Sequence, residues 1–266
     1  MSFSPRVLGR TGLTVGALGI SASYGVPAAA IERAFEAGFT YLYWGSRRSS
    51  AFADALRHLA SQRDRAVIVL QSYSRVGRVM RWSVEHALTR IKYDRADILL
   101  LGMWNADIPP RIMDEARALR ARGLVRHIAV STHNRRQALR FAAHDDISVV
   151  HVRYNAAHPG AETDLFPHLP DLNRPGIVGF TATSWGQILS PRHTPAGDRT
   201  PSAEDCYRFV LSHPAVDLCV TGPASAAHVE LAIGAVERGP MTGEELAWMK
   251  RIGASVRSRA LLGRTT

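Results

Sequence analysis

Short apolar runs recur along the chain, separated by stretches in which apolar positions fall three and four apart. The runs are residues 16–21, 40–44, 66–72, 97–101, 127–131, 148–154, 177–183 and 217–221. They are rich in Val, Ile, Leu and aromatic residues and mostly lack polar alternation, as parallel strands covered on both faces do. The stretches between them read as helices. Residues 28–37 set Ala30, Ile31, Ala34 and Phe35 on one face, and 81–91 follow a Ser-Arg-Val-Gly turn. Residues 111–122 stop at Gly123, 134–143 open on the cap residue Asn134, and 203–211 form a later helix. Eight alternations of strand and helix predict an α/β protein, a (β/α)8 TIM barrel, as one domain over residues 1–266. Residues 8–15, two β-prone pieces around a Gly turn, predict an N-terminal β-hairpin. The long Pro-, Arg- and Gly-rich segment 190–202 reads as a loop leading into a helix start and is a candidate cover for the barrel mouth.

Composition narrows the class. An apolar share of 46% suffices for a core. The start of the chain does not read as a signal peptide, and no apolar run reaches the roughly 20 residues that span a bilayer. No membrane role is expected, and the expected location is the cytoplasm. Cys206 and Cys219 have no CxxC or CxH companion, so they read as core thiols or a pair, and no metal site is expected. The net charge of +10 comes from scattered arginines, lysine being confined to Lys92 and Lys250. No aromatic-interleaved basic motif accompanies them, so a solvated basic surface is expected rather than a nucleic-acid partner. The charge is compatible with an anionic substrate or a cofactor phosphate, and the expected partner is a small-molecule substrate.

Four segments bear a family resemblance in the right order. Arg6-Val-Leu-Gly-Arg-Thr-Gly-Leu-Thr-Val-Gly-Ala-Leu-Gly19 resembles the N-terminus of aldo-keto reductases. Gly123-Leu-Val-Arg-His-Ile-Ala-Val-Ser131 is similar to that family's G-x-x-R-x-I-G-V-S strand, and Val150-His-Val-Arg-Tyr-Asn155 to its V-Q-x-x-Y-N strand. Cys219-Val-Thr-Gly-Pro-Ala-Ser-Ala-Ala-His-Val-Glu230 resembles the segment that holds the nucleotide's phosphates. The turn itself agrees: a Gly222-Pro turn entering a helix near Ser225 points backbone N–H groups at the mouth.

The resemblance implies a reductase using NADP(H) or NAD(H), with Asp, Tyr, Lys and His at strand ends. This sequence replaces all four. Gly38-Phe-Thr-Tyr-Leu-Tyr-Trp-Gly45 puts Tyr43 at the Asp position and Arg48 near the Tyr position; Gln71 stands for Lys and Gly102 for His. The resemblance assigns the cofactor to Ser131, Thr132, His151, Ser184, Gly222, Ser225 and His228. Thr132 and His151 stand for Asn and Gln there, and Ala182 for a nicotinamide-stacking aromatic.

Strand-end position gathers Tyr24, Tyr43, Trp44, Arg48, Gln71, Tyr73, Trp104, Asn105, His133, Arg153, Tyr154, Asn155, Ser184 and Trp185 at the rim. An aromatic mouth suits a flat, conjugated or cationic ligand, and the same rings would also cap a core. Tyr43, His133, Gln71 and Arg48 are the candidate catalytic residues; Trp44, Tyr73, Trp104, Asn105 and Trp185 are the candidate substrate contacts. Imidazole as a group titrates near neutrality, so His133 is the candidate acid or base, or else a capping residue. Arg48 reads as a carboxylate or phosphate ligand or a solvated arginine. Three functions stay open. One is a nicotinamide-dependent reductase of a carbonyl, imine, iminium or activated C=C bond, with a non-standard proton-transfer set. The others are a cofactor-independent lyase, isomerase or dehydratase using His133 and Tyr43, and a non-catalytic binding protein.

Overall fold

Alternation within each short strand decides which side chains enter the barrel and which face the helices. A computed structural model describes residues 2–45 and 48–262. A hairpin of β1 (Arg6–Val7) and β2 (Thr14–Val15) precedes the barrel, as predicted. The barrel strands are β3 (Leu18–Ser21), β4 (Tyr41–Trp44), β5 (Val67–Ser72), β6 (Ala96–Leu101), β7 (Val125–Thr132), β8 (Ile147–Arg153), β9 (Gly176–Phe180) and β10 (Leu218–Thr221). All are parallel and close in the order β10-β3-β4-β5-β6-β7-β8-β9. The helices are α1 (Ala28–Glu36), α2 (Ser50–His58), α3 (Gly77–Ile91), α4 (Pro110–Ala121), α5 (Arg135–Ala142), the single turn α6 (Ala161–Asp164), α7 (Ala203–Leu211), α8 (Ala226–Arg238) and α9 (Gly243–Leu262).

Two apolar layers result. Tyr41, Val67, Val69, Ile98, Leu100, Ala129, Val149, Val178, Leu218 and Val220 fill the barrel. Their strand neighbours, including Leu42, Ile68, Leu99, Ile128 and Val150, pack outward against the helices. The hairpin closes the N-terminal end, because Leu8 and Val15 join the inner layer. Its turn needs Gly9: φ is +46°, and a Cβ there would stand 2.1 Å from the backbone N of Gly176. Polar groups fix the same end. Asp97 accepts from the Ile68 N–H (2.8 Å), and Asp217 from the Ile177 N–H (2.7 Å) while pairing with Arg174 (2.6 Å).

Two boundaries differ from the apolar pattern. β9 stops at Phe180, because Thr181 adopts a left-handed φ of +60°. α3 begins at Gly77, one turn before residue 81. The loop at 190–202 directs its contacts onto α9. Arg199 lies 3.8 Å over the Trp248 ring, and Asp198 pairs with Arg251 at 2.7 Å. Cys206 and Cys219 are buried free thiols. No described helix is long and apolar enough to cross a membrane.

Candidate active site

The last inward positions of β4 and β5 raise Tyr43 and Gln71 toward the mouth, and Gly102 follows β6. Burial pushes the Tyr43 phenol well above its ordinary range; nearby Tyr73 and Tyr24 act the same way, and a hydrogen bond with Gln71 opposes them. The phenol is therefore neutral at physiological pH. The space beside Gly102 belongs to Tyr73, whose ring would lie 2.5 Å from a Cβ at that position. Where the family resemblance implies a histidine, an aromatic ring from the neighbouring strand end stands instead. Both lysines lie elsewhere. Lys92 caps the C-terminus of α3, and Lys250 on α9 pairs with Glu162 at 3.0 Å.

Beneath Tyr43, the Tyr41 hydroxyl and His151 Nε2 share a 2.7 Å hydrogen bond in full burial. Loss of solvation lowers the His151 pKa to about 3, so the imidazole is neutral. Its ring centroid lies 6.0 Å from that of Tyr43.

The expected cofactor contacts fall into two sets. Toward β7, the Ser131 hydroxyl accepts from the Met103 N–H (2.8 Å). Thr132 turns its hydroxyl to Asn105 Oδ1 (3.0 Å), which also accepts from the His133 N–H (2.8 Å). Asn105 thus joins two loops of the rim. Toward β9 and β10, Ser184 is 1% exposed, and its hydroxyl has no partner among the described residues. It starts a left-handed turn with Trp185, which is 59% exposed. Ser225 caps α8 by accepting from the His228 N–H (3.3 Å), and His228 Nδ1 accepts from the Ala224 N–H (3.3 Å). The Tyr24 ring packs against Gly222, 2.5 Å from where a Cβ would stand.

Trp44 and Arg48 do not reach the mouth. As the residue after inward Tyr43, Trp44 faces the helix layer, fully buried, and its indole donates to the Ser49 carbonyl (3.3 Å). Arg48 lies 5.1 Å over that indole and donates to the Gly45 (3.2 Å) and Gln71 (3.0 Å) carbonyls. Burial, with Arg90 adding to it, lowers its pKa to about 10. Its fork is spent on the backbone, so it serves the frame and not a ligand. Trp104 is largely buried, with the Arg75 guanidinium 3.6 Å above its ring. Tyr154 is also buried, donating to Glu162 (2.8 Å).

His133 does reach the mouth. Its ring stacks on Phe180 at 5.4 Å and meets Trp185 edge-on at 6.4 Å. Burial, followed by the charge of Arg153, lowers its pKa. No hydrogen bond or ring contact joins it to Tyr43, so the expected acid–base pair occupies separate sectors. Two further mouth residues, Phe180 and His158, fall outside the expected set. Inward alternation from Val178 leads directly to Phe180, two residues before Ala182, once the strand is ended at Thr181.

Known proteins carry the same frame. The model of the aldo/keto reductase family matches residues 23–199. The chain belongs to the aldo/keto reductase family. The holo form of aldo-keto reductase AKR11C1 from Bacillus halodurans superposes with a TM-score of 0.78 at 19% identity, covering 94% of this chain and 96% of that one. An aldo/keto reductase from Klebsiella pneumoniae in complex with NADP and acetate gives a TM-score of 0.72 at 21% identity, covering 92% and 94%. An aldo-keto reductase from Klebsiella pneumoniae in complex with NADPH gives 0.74 at 23% identity, covering 95% of each chain. No curated protein matched the sequence.

Proposed function

We propose that this family member is a nicotinamide-dependent oxidoreductase that reduces a carbonyl, imine or activated C=C bond of a small aromatic or cyclic substrate. Neutral hydrogen-bond donors replace the charged proton-transfer set. The observation that carries the reading is the β9–β10 side of the mouth. There a buried Ser184 hydroxyl lacks a partner among the described residues, and the Ser225-capped start of α8 presents backbone N–H groups. The solved relatives named with NADP and NADPH support the cofactor class.

Ser184, Gly222, Ser225 and His228 would hold the nucleotide, and exposed Tyr24 is free to turn off Gly222 as a phosphate approaches. Ser131 keeps its hydroxyl proton and His151 its Nδ1 for a carboxamide. A reduced nicotinamide supplies hydride. Tyr43 and Gln71 meet the charge that develops on the substrate. A phenol whose pKa burial has raised is a poor acid, so it stabilises an oxyanion by donating a hydrogen bond rather than its proton. That arrangement suits substrates whose reduced form is weakly basic, an activated C=C bond above a plain ketone.

Titration calorimetry with NADPH and then NADH tests the reading. Saturable binding weakened by Ser184→Ala supports it, and no binding at millimolar cofactor refutes it. Tyr24 packed on Gly222 favours a second reading, a cofactor-independent proton-transfer enzyme, which the second outcome would promote.

A further inference from the structure

Arg153 ends β8, and the alternation that turns Val149 and His151 inward also turns Arg153 inward. It is partly buried, and burial followed by the charge of Arg135 lowers its pKa. Other partly buried arginines are matched. Arg174 meets Asp217, Arg208 meets Glu245, and Arg10 is saturated by backbone carbonyls, among them His144 and Ala142. Arg153 has no carboxylate or carbonyl partner among the described residues. A guanidinium that has given up part of its hydration without gaining a carboxylate is a ready partner for a complementary anion.

Its neighbours leave that charge uncompensated. His133 Nε2 is buried without a partner among the described residues. His158 donates Nδ1–H to Asn155 Oδ1 (3.1 Å), and the Asn155 amide is fixed by its own bond to the Thr181 carbonyl (2.7 Å). Burial first, then the charges of Arg153 and Arg257, brings His158 to about 4, so both histidines are neutral at physiological pH. The nearby carboxylate of Asp164 is committed to Arg135 (2.7 Å). The Phe180 and Trp185 rings form the adjoining wall.

We propose that Arg153, flanked by His133 and His158, is an anion subsite that takes the carboxylate of a flat, ring-bearing substrate, with the ring against Phe180 and Trp185. One guanidinium offers a two-pronged match to a planar carboxylate. Arg135 is neutralised by Asp164 and Arg257 is turned to the Ala156 and Ala157 carbonyls, which among the described residues leaves Arg153 as the guanidinium open to a ligand and favours a carboxylate monoanion over a phosphate dianion. The subsite disfavours a cationic iminium. It names the substrate class of the oxidoreductase proposed above and rests on that reading for the reaction, but not for the binding.

Benzoate, benzamide and inorganic phosphate titrated into the apoprotein, followed by Trp185 fluorescence and histidine NMR, test it. Benzoate binds saturably, perturbs the His133 and His158 signals, and outcompetes benzamide about tenfold or more. Arg153→Gln loses that preference and raises the pKa of both histidines, while Arg153→Lys keeps part of the affinity. Equal binding of benzoate and benzamide, or no benzoate binding at tens of millimolar in folded protein, overturns the proposal. Phosphate binding tighter than benzoate overturns the carboxylate assignment. Benzoate binding without NADPH binding would refute the nicotinamide reading and leave the subsite standing.

Discussion

The Tyr41 phenol and His151 Nε2 meet at 2.7 Å across the barrel, from strands on opposite sides of the closed sheet. This bond is the floor on which the mouth is built, and Tyr43 lies directly above it.

A pH effect on stability follows. Between about pH 6.5, the ordinary imidazole value, and the folded value of about 3, the unfolded chain binds a proton that native His151 refuses. Stability from this group is complete above about 6.5 and lost progressively as the pH falls toward 3. His133, His127 and His158 are lowered too and act in the same direction. His151→Gln removes one share while keeping a partner for Tyr41. Urea midpoints at pH 7.5 and pH 5 should differ less in the variant than in the wild type.

Gln71 and Tyr43 form a second linked pair. A lysine in place of buried Gln71 would set a charge beside the neutral Tyr43 phenol, its hydrogen-bond partner. Gln71→Lys alone should cost about 3–5 kcal/mol, the usual penalty for a buried charge left unpaired. Adding Tyr43→Asp supplies the counter-charge and should recover a large part of that loss. Denaturation of the two single variants and the double variant measures the coupling; simple additivity would show that the side chains do not share one environment.

The hairpin is a structural plug. Leu8 is fully buried in the inner layer and touches the start of β9 at Gly176. Leu8→Ala should cost about 2–5 kcal/mol, read from the denaturation midpoint, because the rigid floor cannot close over the cavity. An NADPH titration should read the same in the variant as in the wild type, the mouth being at the other end.

The barrel and its hairpin were legible because period-two and helical patterns survive any choice of site chemistry. The mouth was legible only where strand parity was. Tyr43, Gln71 and His133 alternate with the inward set, whereas Trp44 is one residue out of phase, and one residue reverses the face. Phe180 was hidden by the left-handed Thr181, which ends β9 inside an apparently continuous run. Arg153 was visible as a rim residue, but its lack of a carboxylate is a property of how distant segments pack. Arg48 shows the converse: an arginine beside the mouth whose donors all go to the frame.

The most direct test of the nicotinamide reading is NADPH titration followed by tryptophan fluorescence in the wild type, Trp185→Phe and Trp44→Phe. Trp185 is exposed beside Ser184, and Trp44 is sealed under α2. Saturable quenching that persists in Trp44→Phe and is largely lost in Trp185→Phe is the predicted result. No saturable change in any of the three at millimolar NADPH, with no binding heat, would contradict it.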